Sequence, residues 1–566
     1  MATFDACSRT WQGPYRPAIF NPCANLGQIV INVLERTPEK IIQLNVDTGA
    51  VVTCKQMRVR SIRFARFLTS CGYSKGDVLA LVARNSCHVV PVVFGCFIAG
   101  IPINTLDPSF ELREIVNILR LTQPKFIVCD ADRMTVLRQA NEQLQHQIVN
   151  YGVILTTPTD ELMPDCYLID ELLQKPCDGE SDFVPQYLGD SNLLTAAIVC
   201  SSGTTGLSKA VRISHAQLIT PYGRISQLDN NDTILSFSTL YWISGYQMLM
   251  TSILNGIRKL ITTKLPTAKY AIELCNRYNV TILFTTPSLA TDVVLTLPDS
   301  ERLRSLKLYA IGGSTVPLAL RQSIIQKVLV EGQGRCIVAY GMSELGGPVS
   351  YEMIPRENSV GTLLSGNRAK VVGELNKPLG PSEAGELLIR PTHPFLGYCG
   401  DEQATVKILD EDGFVRTGDI AYFDHDGFLY LVDRKKDILK YDGYQISPSE
   451  LEATIGQIPG VRQVVVVGIP EPGREYNDLA TAMVVLNSHE ERSADEELTE
   501  QTIIDHCAMM TGGQPASENR RLRGGAMFIS SLPMTANGKV KRDVAKQMAI
   551  NFHRNTLASK TQFSDQ

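Results

Sequence analysis

The chain has 566 residues, 44% of them apolar and 20% charged, with 54 Lys+Arg against 59 Asp+Glu for a net charge of −5. At roughly 150 residues per domain this length suggests about three to four domains, and the balance of apolar and charged residues excludes wholesale disorder. A slightly acidic chain carries no global basic field that would gather nucleic acid or an anionic membrane.

Residues 1–20 hold no basic patch leading into an apolar run, and Pro14 and Pro17 interrupt them, so a secretory signal is not expected. The best membrane candidate, residues 89–103, is short of the ~18 apolar residues a span needs and contains Pro91 and Gly100. It reads as a buried helix followed by a turn into a strand. A cytoplasmic protein is expected. The final Ser564-Asp565-Gln566 is no peroxisomal address, although a peroxisomal placement through a partner stays open.

From residue 78 onward short apolar runs (78–82, 126–129, 194–200, 282–284, 308–311) alternate with helical patterns. One such pattern is 111–121, with apolar Leu112, Ile115, Ile118 and Leu119. The alternation predicts α/β layers with parallel sheets. After about residue 360, short strands among Gly and Pro (384–390, 428–432) predict a small β-rich subdomain. Asp433-Arg434-Lys435-Lys436-Asp437 is a run of consecutive charges, either a solvated loop or an interdomain hinge. Ser447-Pro448-Ser449-Glu450 then reads as a helix start, with Ser447 as cap and Pro448 at the first helical position. The expected organisation is a large domain over 1–433, a small α+β domain over 434–550, and a loose tail over 551–566.

The 14 cysteines include no CxxC pair and sit largely in apolar stretches, which predicts reduced thiols packed as small hydrophobes. The eight histidines form no zinc spacing.

Directly after the 194–200 strand come Ser201-Ser202-Gly203-Thr204-Thr205-Gly206-Leu207-Ser208-Lys209. Hydroxyls, glycine-freed backbone N–H groups and a lysine can surround phosphate oxygens, although the spacing is not that of a Walker A loop. Standing alone, the stretch also reads as an ordinary Ser/Thr/Gly turn. Three further segments follow it: Tyr340-Gly341-Met342-Ser343-Glu344, Thr417-Gly418-Asp419, and Pro533 through Gly538-Lys539 with Arg542. In this order they resemble the motifs of the adenylate-forming superfamily of acyl-CoA synthetases, luciferases and peptide-synthetase adenylation domains. Tyr441-Asp442-Gly443-Tyr444-Gln445-Ile446 is most similar to 4-coumarate–CoA ligases and luciferase-like acyl-CoA synthetases.

The resemblance implies an AMP-forming acid–CoA ligase using ATP, Mg²⁺ and CoA, with a mobile C-terminal lid. It assigns ATP and AMP binding to Ser201, Ser202, Gly203, Thr204, Thr205, Gly206, Lys209, Gly312, Gly313, Ser314, Tyr340, Gly341, Ser343, Asp419 and Arg434. Thr315 and Val316, which precede Pro317, depart from the usual pattern after the small-residue trio. Glu344 would hold the metal, a hard cation that prefers carboxylate oxygen; read alone, it is a helix-start acid. Lys539 and Lys440 would be the catalytic lysines of the two half-reactions, Lys436 the hinge, and Gly443 and Tyr444 the CoA contacts.

Tyr241, Trp242, Gly346 and Gly347 are expected at the acyl pocket, with the two glycines leaving volume for a fatty or arylalkenoic acid. Two other readings share these motifs: a non-catalytic nucleotide or acyl-CoA binding protein on the same fold, and a luciferase-like adenylate oxygenase. Small molecules are the expected partners, and the oligomeric state is open.

Overall fold

A computed structural model describes residues 2–21, 23–145, 148, 150–154, 166–201, 208–219, 228–442, 444–487, 498–508, 521–534 and 539–564. Its framework is two large sheets. The first has seven strands in the order Lys209–Ser214, Thr195–Ser201, Ile103–Thr105, Leu79–Val82, Phe126–Asp130, Asn150–Ile154 and Cys166–Leu168. All pairings in it are parallel except the Thr195–Ser201/Lys209–Ser214 hairpin. The second runs in parallel from Ile41–Asn45 through Arg258–Ile261, Thr233–Ser236, Ile282–Thr285 and Leu308–Gly312 to Arg335–Met342. There it turns antiparallel and continues through Gly347–Glu352, Ser359–Leu363, Phe428–Arg434, Val415–Phe423, Gly385–Arg390 and Arg368–Val372. The β-rich subdomain expected after residue 360 is therefore hydrogen-bonded to the parallel half as one sheet.

The apolar stretch that could be mistaken for a membrane segment is the helix Val89–Ala99, buried over nearly its whole length and closed by Gly100 in the left-handed region (φ 70°). Among the described residues no helix is long and apolar enough to cross a membrane. This helix is apolar all round because it is enclosed on every side. Its Gly95 lies against the helix Cys54–Ser70 so closely that a Cβ there would stand 2.8 Å from the Phe64 ring and 3.0 Å from the Ser61 carbonyl oxygen. The helix Leu112–Thr122 shows the expected 3.6-residue periodicity, and a capping box between Glu111 and Glu114 fixes its start. All 14 cysteines are free thiols.

The small domain is a three-stranded sheet (Val461–Glu471, Arg474–Leu486, Ala526–Phe528) with the helices Pro448–Ile455, Glu500–Ala508 and Arg542–Ser564 and the hairpin Leu439–Tyr441/Tyr444–Ile446. Ser447 caps the helix Pro448–Ile455, its Oγ accepting from Glu450 N at 3.2 Å. The final helix corrects one expectation: it runs on through Ser564, so part of the segment expected as a loose tail is helical. Residues 551–564 contain neither Gly nor Pro, and nothing in them breaks a helix begun at Arg542.

Two of the contacts that join the small domain to the large one fix its start and its far side. The Asp433 carboxylate, in the large domain's last strand, accepts from Ser447 Oγ (2.7 Å) and Ser449 N (3.0 Å) at the start of the helix Pro448–Ile455. Arg462 pairs with Asp292 of the helix Pro287–Thr296 at 2.7 Å. Between the two bodies opens a cleft of about 2550 Å³.

Candidate active site

The cleft lies where parallel strands end, at the carboxyl edge of Ile282–Thr285, Leu308–Gly312 and Arg335–Met342, the usual ligand position in an α/β sheet. Gly312-Gly313-Ser314 leaves the end of one strand, and Gly313 takes φ +103°, a conformation that L side chains rarely adopt. From the small domain Lys539 reaches this spot: a Cβ on Gly313 would be 3.6 Å from Lys539 Cε. Lys539 sits just before the final helix, on a segment closed by the Met534–Val540 bridge and the Lys541 N to Pro533 O hydrogen bond of 2.8 Å. Burial and the Arg434 cation push its ammonium pKa down, while Glu344 and Asp419 pull it up. A buried ammonium that burial and a neighbouring cation disfavour is suited to receive further negative charge.

Asp419 is buried, and its two oxygens are used separately. Tyr340 Oη donates to Oδ2 at 2.6 Å, and Arg434 Nε pairs with Oδ1 at 2.6 Å. Asp419 and Arg434 are direct cross-strand partners, so the sheet register brings the pair together. Thr417 Oγ1 accepts from Asp419 N (3.1 Å) and donates to Leu387 O (2.8 Å), which holds the turn. Burial raises the Asp419 pKa, with Arg434 and Tyr340 acting against it. Gly341 is required by packing: a Cβ there would fall 2.1 Å from Gly347 O on the neighbouring strand.

Glu344 lies in the short 3₁₀ turn Ser343–Leu345, buried, and accepts from Tyr398 Oη at 2.9 Å. Lys209 Nζ stands 4.6 Å from the centre of the same Tyr398 ring. Tyr398 thus links the lysine after the phosphate loop to the acid after Tyr340. The sequence reading missed it, since no charge or spacing marks it. A β-bridge from Tyr398 to Val211, within the strand Lys209–Ser214, puts it there. Glu344 is a single carboxylate, and among the described residues no cluster of three or more His, Cys, Asp or Glu could hold a metal alone. The Glu344 carboxylate is the kind of oxygen donor Mg²⁺ takes, an ion usually bound through one or two carboxylates together with substrate phosphates.

The remaining expected residues separate. Ser201, Lys209, Trp242, Ser343, Gly347 and Lys436 line the cleft. Tyr241 does not: it is buried in the core, edge-on to Trp242 (4.4 Å) and to Phe110 (5.1 Å). Gly346 does not add pocket volume either, because a Cβ on it would stand 2.9 Å from the Gln217 side chain. Lys440 is exposed on the hairpin Leu439–Tyr441/Tyr444–Ile446, away from the cleft wall, its backbone N–H bonded to Asp478. Only one of the two expected catalytic lysines thus faces the cleft. Ser202, Gly203, Thr204, Thr205, Gly206 and Gly443, as well as Gly538, lie outside the described residues, as does the side chain of Tyr444.

The family model described as AMP-binding enzyme matches residues 32–399, and that of its C-terminal domain matches residues 450–539. The chain belongs to the AMP-binding enzyme family. It is 27% identical to a probable 4-coumarate–CoA ligase of Dictyostelium discoideum over 552 residues, covering 93% of this chain and 95% of that protein. It is 26% identical to luciferin 4-monooxygenase of Photinus pyralis over 503 residues, covering 87% and 88%. The fold is shared with a crystal structure of an anthranilate–CoA ligase in complex with anthranoyl-AMP (TM-score 0.82, 20% identity, 96% of this chain and 99% of that one).

Proposed function

We propose that this AMP-binding enzyme is an ATP-dependent acid–CoA ligase that activates a fatty or arylalkenoic acid. In the first step a carboxylate oxygen attacks the α-phosphorus of ATP, the bond to the β-phosphate bridging oxygen breaks, and pyrophosphate leaves. In the second, the CoA sulfur attacks the acyl carbon, the acyl–phosphate bond breaks with its electrons going to AMP, and the thiol proton passes to solvent. The first step brings two anions together, so it depends on fixed cations and donors around them.

The observation that carries the reading is the lid lysine Lys539 set beside Gly313, within the electrostatic reach of Glu344 and Asp419, where acyl carboxylate and α-phosphate would meet. Asp419 would take the ribose hydroxyls, with Arg434 alongside, and Tyr340 would offer its ring face to the adenine. Ser201 and Lys209 would flank the polyphosphate, and Glu344 would hold Mg²⁺ brought in with ATP. Lys440, exposed here, belongs with Gly443 and Tyr444 to a second face that turning about Lys436 would present for the thiol step. Retention of Lys209, Glu344, Asp419, Arg434 and Lys539 together favours an enzyme over a binding protein on the same fold.

ATP–pyrophosphate exchange across short, medium, long-chain and aromatic acids, with and without CoA, tests the reading. Acid-dependent exchange and CoA-dependent thioester are expected. No exchange with any acid would favour the binding-protein reading, and adenylate that ignores CoA and consumes oxygen would favour the oxygenase.

A further inference from the structure

Lys209 and Glu344 belong to different sheets, Lys209 at the start of the strand Lys209–Ser214 and Glu344 in the turn that follows Arg335–Met342. Both line the cleft, and so does Tyr398, which is 6% exposed. The phenol lies against each of them. Its hydroxyl donates to Glu344 Oε1 at 2.9 Å, and its ring centre is 4.6 Å from Lys209 Nζ, within the reach of a cation–π contact. Burial and the neighbouring carboxylate raise the phenol pKa, so the hydroxyl stays protonated and remains a donor.

The backbone around Tyr398 is tied down on both sides. Arg212 N donates to Gly397 O (3.1 Å) and Cys399 N to Ala210 O (2.7 Å), flanking the bridge to Val211. Tyr398 N donates to Thr405 Oγ1 at 2.9 Å. Gly397 takes φ +91°, and a Cβ on it would stand 2.8 Å from Thr405 Cγ2. Phe395 meets the ring edge-on at 5.3 Å. A phenol fixed against a lysine and a carboxylate has two effects. It orients the carboxylate through one oxygen and leaves the other for a metal. It also gives each charge a partner other than the opposite charge, and a closed ion pair would spend both on each other.

We propose that Tyr398 is a positioning residue for nucleotide activation: it aims Glu344 at the metal carried with ATP and keeps Lys209 from pairing with Glu344, so that the ammonium stays available to the polyphosphate. This rests on the acid–CoA ligase reading and adds a residue to its first step. Tyr398 acts through its two neighbours, not on the reacting atoms.

The experiment is calorimetric titration of the full chain with ATP, with and without Mg²⁺ and without any acid, so that no turnover is needed. In the wild type Mg²⁺ should tighten ATP binding. Tyr398→Phe keeps the ring beside Lys209 and loses the hydroxyl. Its binding of ATP alone should hold, while the tightening by Mg²⁺ should shrink by about tenfold, as for other groups that orient a metal-binding carboxylate. Tyr398→Leu loses the ring as well, so Lys209 closes on Glu344 and binding of ATP alone should weaken by about fivefold. Adding Glu344→Gln to Tyr398→Leu removes the charge that captures the lysine and should restore binding of ATP alone, a rescue that a packing role would not give. If Tyr398→Leu fails to fold, Tyr398→Phe decides. Full Mg²⁺ tightening in Tyr398→Phe overturns the proposal, as does a wild type that Mg²⁺ leaves unchanged. Wild-type binding of ATP alone by Tyr398→Leu, or a loss that Glu344→Gln does not repair, overturns it too. A wild type that binds ATP but exchanges pyrophosphate with no acid overturns instead the ligase reading beneath it.

Discussion

The two ends of the cleft are built on opposite principles. At the end proposed for the nucleotide the polar groups are matched to one another: Asp419 to Tyr340 and Arg434, and Glu344 to Tyr398, with Lys539 beside Gly313. At the acyl end an apolar sheet faces a helix that buries two oxygens without partners. A matched network is preorganised and suits a ligand that is always the same, because little has to rearrange when charge develops. An apolar wall suits selection by size and shape, because it offers a substrate volume rather than fixed partners.

Substitutions at the two ends should therefore separate rate from choice. The largest effect is expected at Lys539. Lys539→Ala should lower adenylate formation, read by pyrophosphate exchange, by about two to three powers of ten, as for other preorganised charge-stabilising groups. It should still pass a supplied acyl-adenylate to CoA. Loss of both half-reactions would contradict the assignment of Lys440 to a separate face. Asp419→Ala comes next. It leaves Arg434 and the buried Tyr340 hydroxyl without their carboxylate, and should raise KM for ATP with little change in acid preference. A changed acid preference would mean the two ends are not separable.

Smaller effects belong to the domain contacts. Arg462→Ala removes the pair with Asp292, both partly exposed, and should cost at most about 1 kcal/mol of closed-lid stability. It should weaken salt dependence of the exchange rate, and an unchanged salt profile would remove the contact from the closing mechanism.

The smallest concerns pH. Burial raises the Glu452 pKa to about 7, against the pull of Arg542, which it meets at 2.7 Å. Because the folded form holds this proton more tightly than the unfolded chain, the stability from this group is present below the ordinary glutamate range and is lost as pH rises to about 7. Glu452→Gln should flatten that arm of the Tm-against-pH curve, and an unaltered slope would assign it to other groups.

Much of this protein is legible in the chain because local rules and global fold agree. The fully apolar 89–103 stretch, too short to span a membrane, becomes an enclosed helix, and the 111–121 periodicity becomes Leu112–Thr122 with its glutamate cap. The motif residues Tyr340, Glu344, Asp419 and Lys539 could be named through the family resemblance of their segments, and all four line one cleft. Tertiary structure alone decided the rest. Tyr398 reaches Glu344 through a β-bridge to a strand distant in sequence, and Tyr241, beside Trp242, turns into the core rather than the cleft. Gly346 is small because Gln217 occupies the space beside it, not because a substrate does. Gln247 reads in sequence as one polar residue on an apolar helix. Only the fold sets its nitrogen against the Gly346 carbonyl and buries its oxygen without a partner, because a hydrogen bond left unmade is a property of the assembled structure.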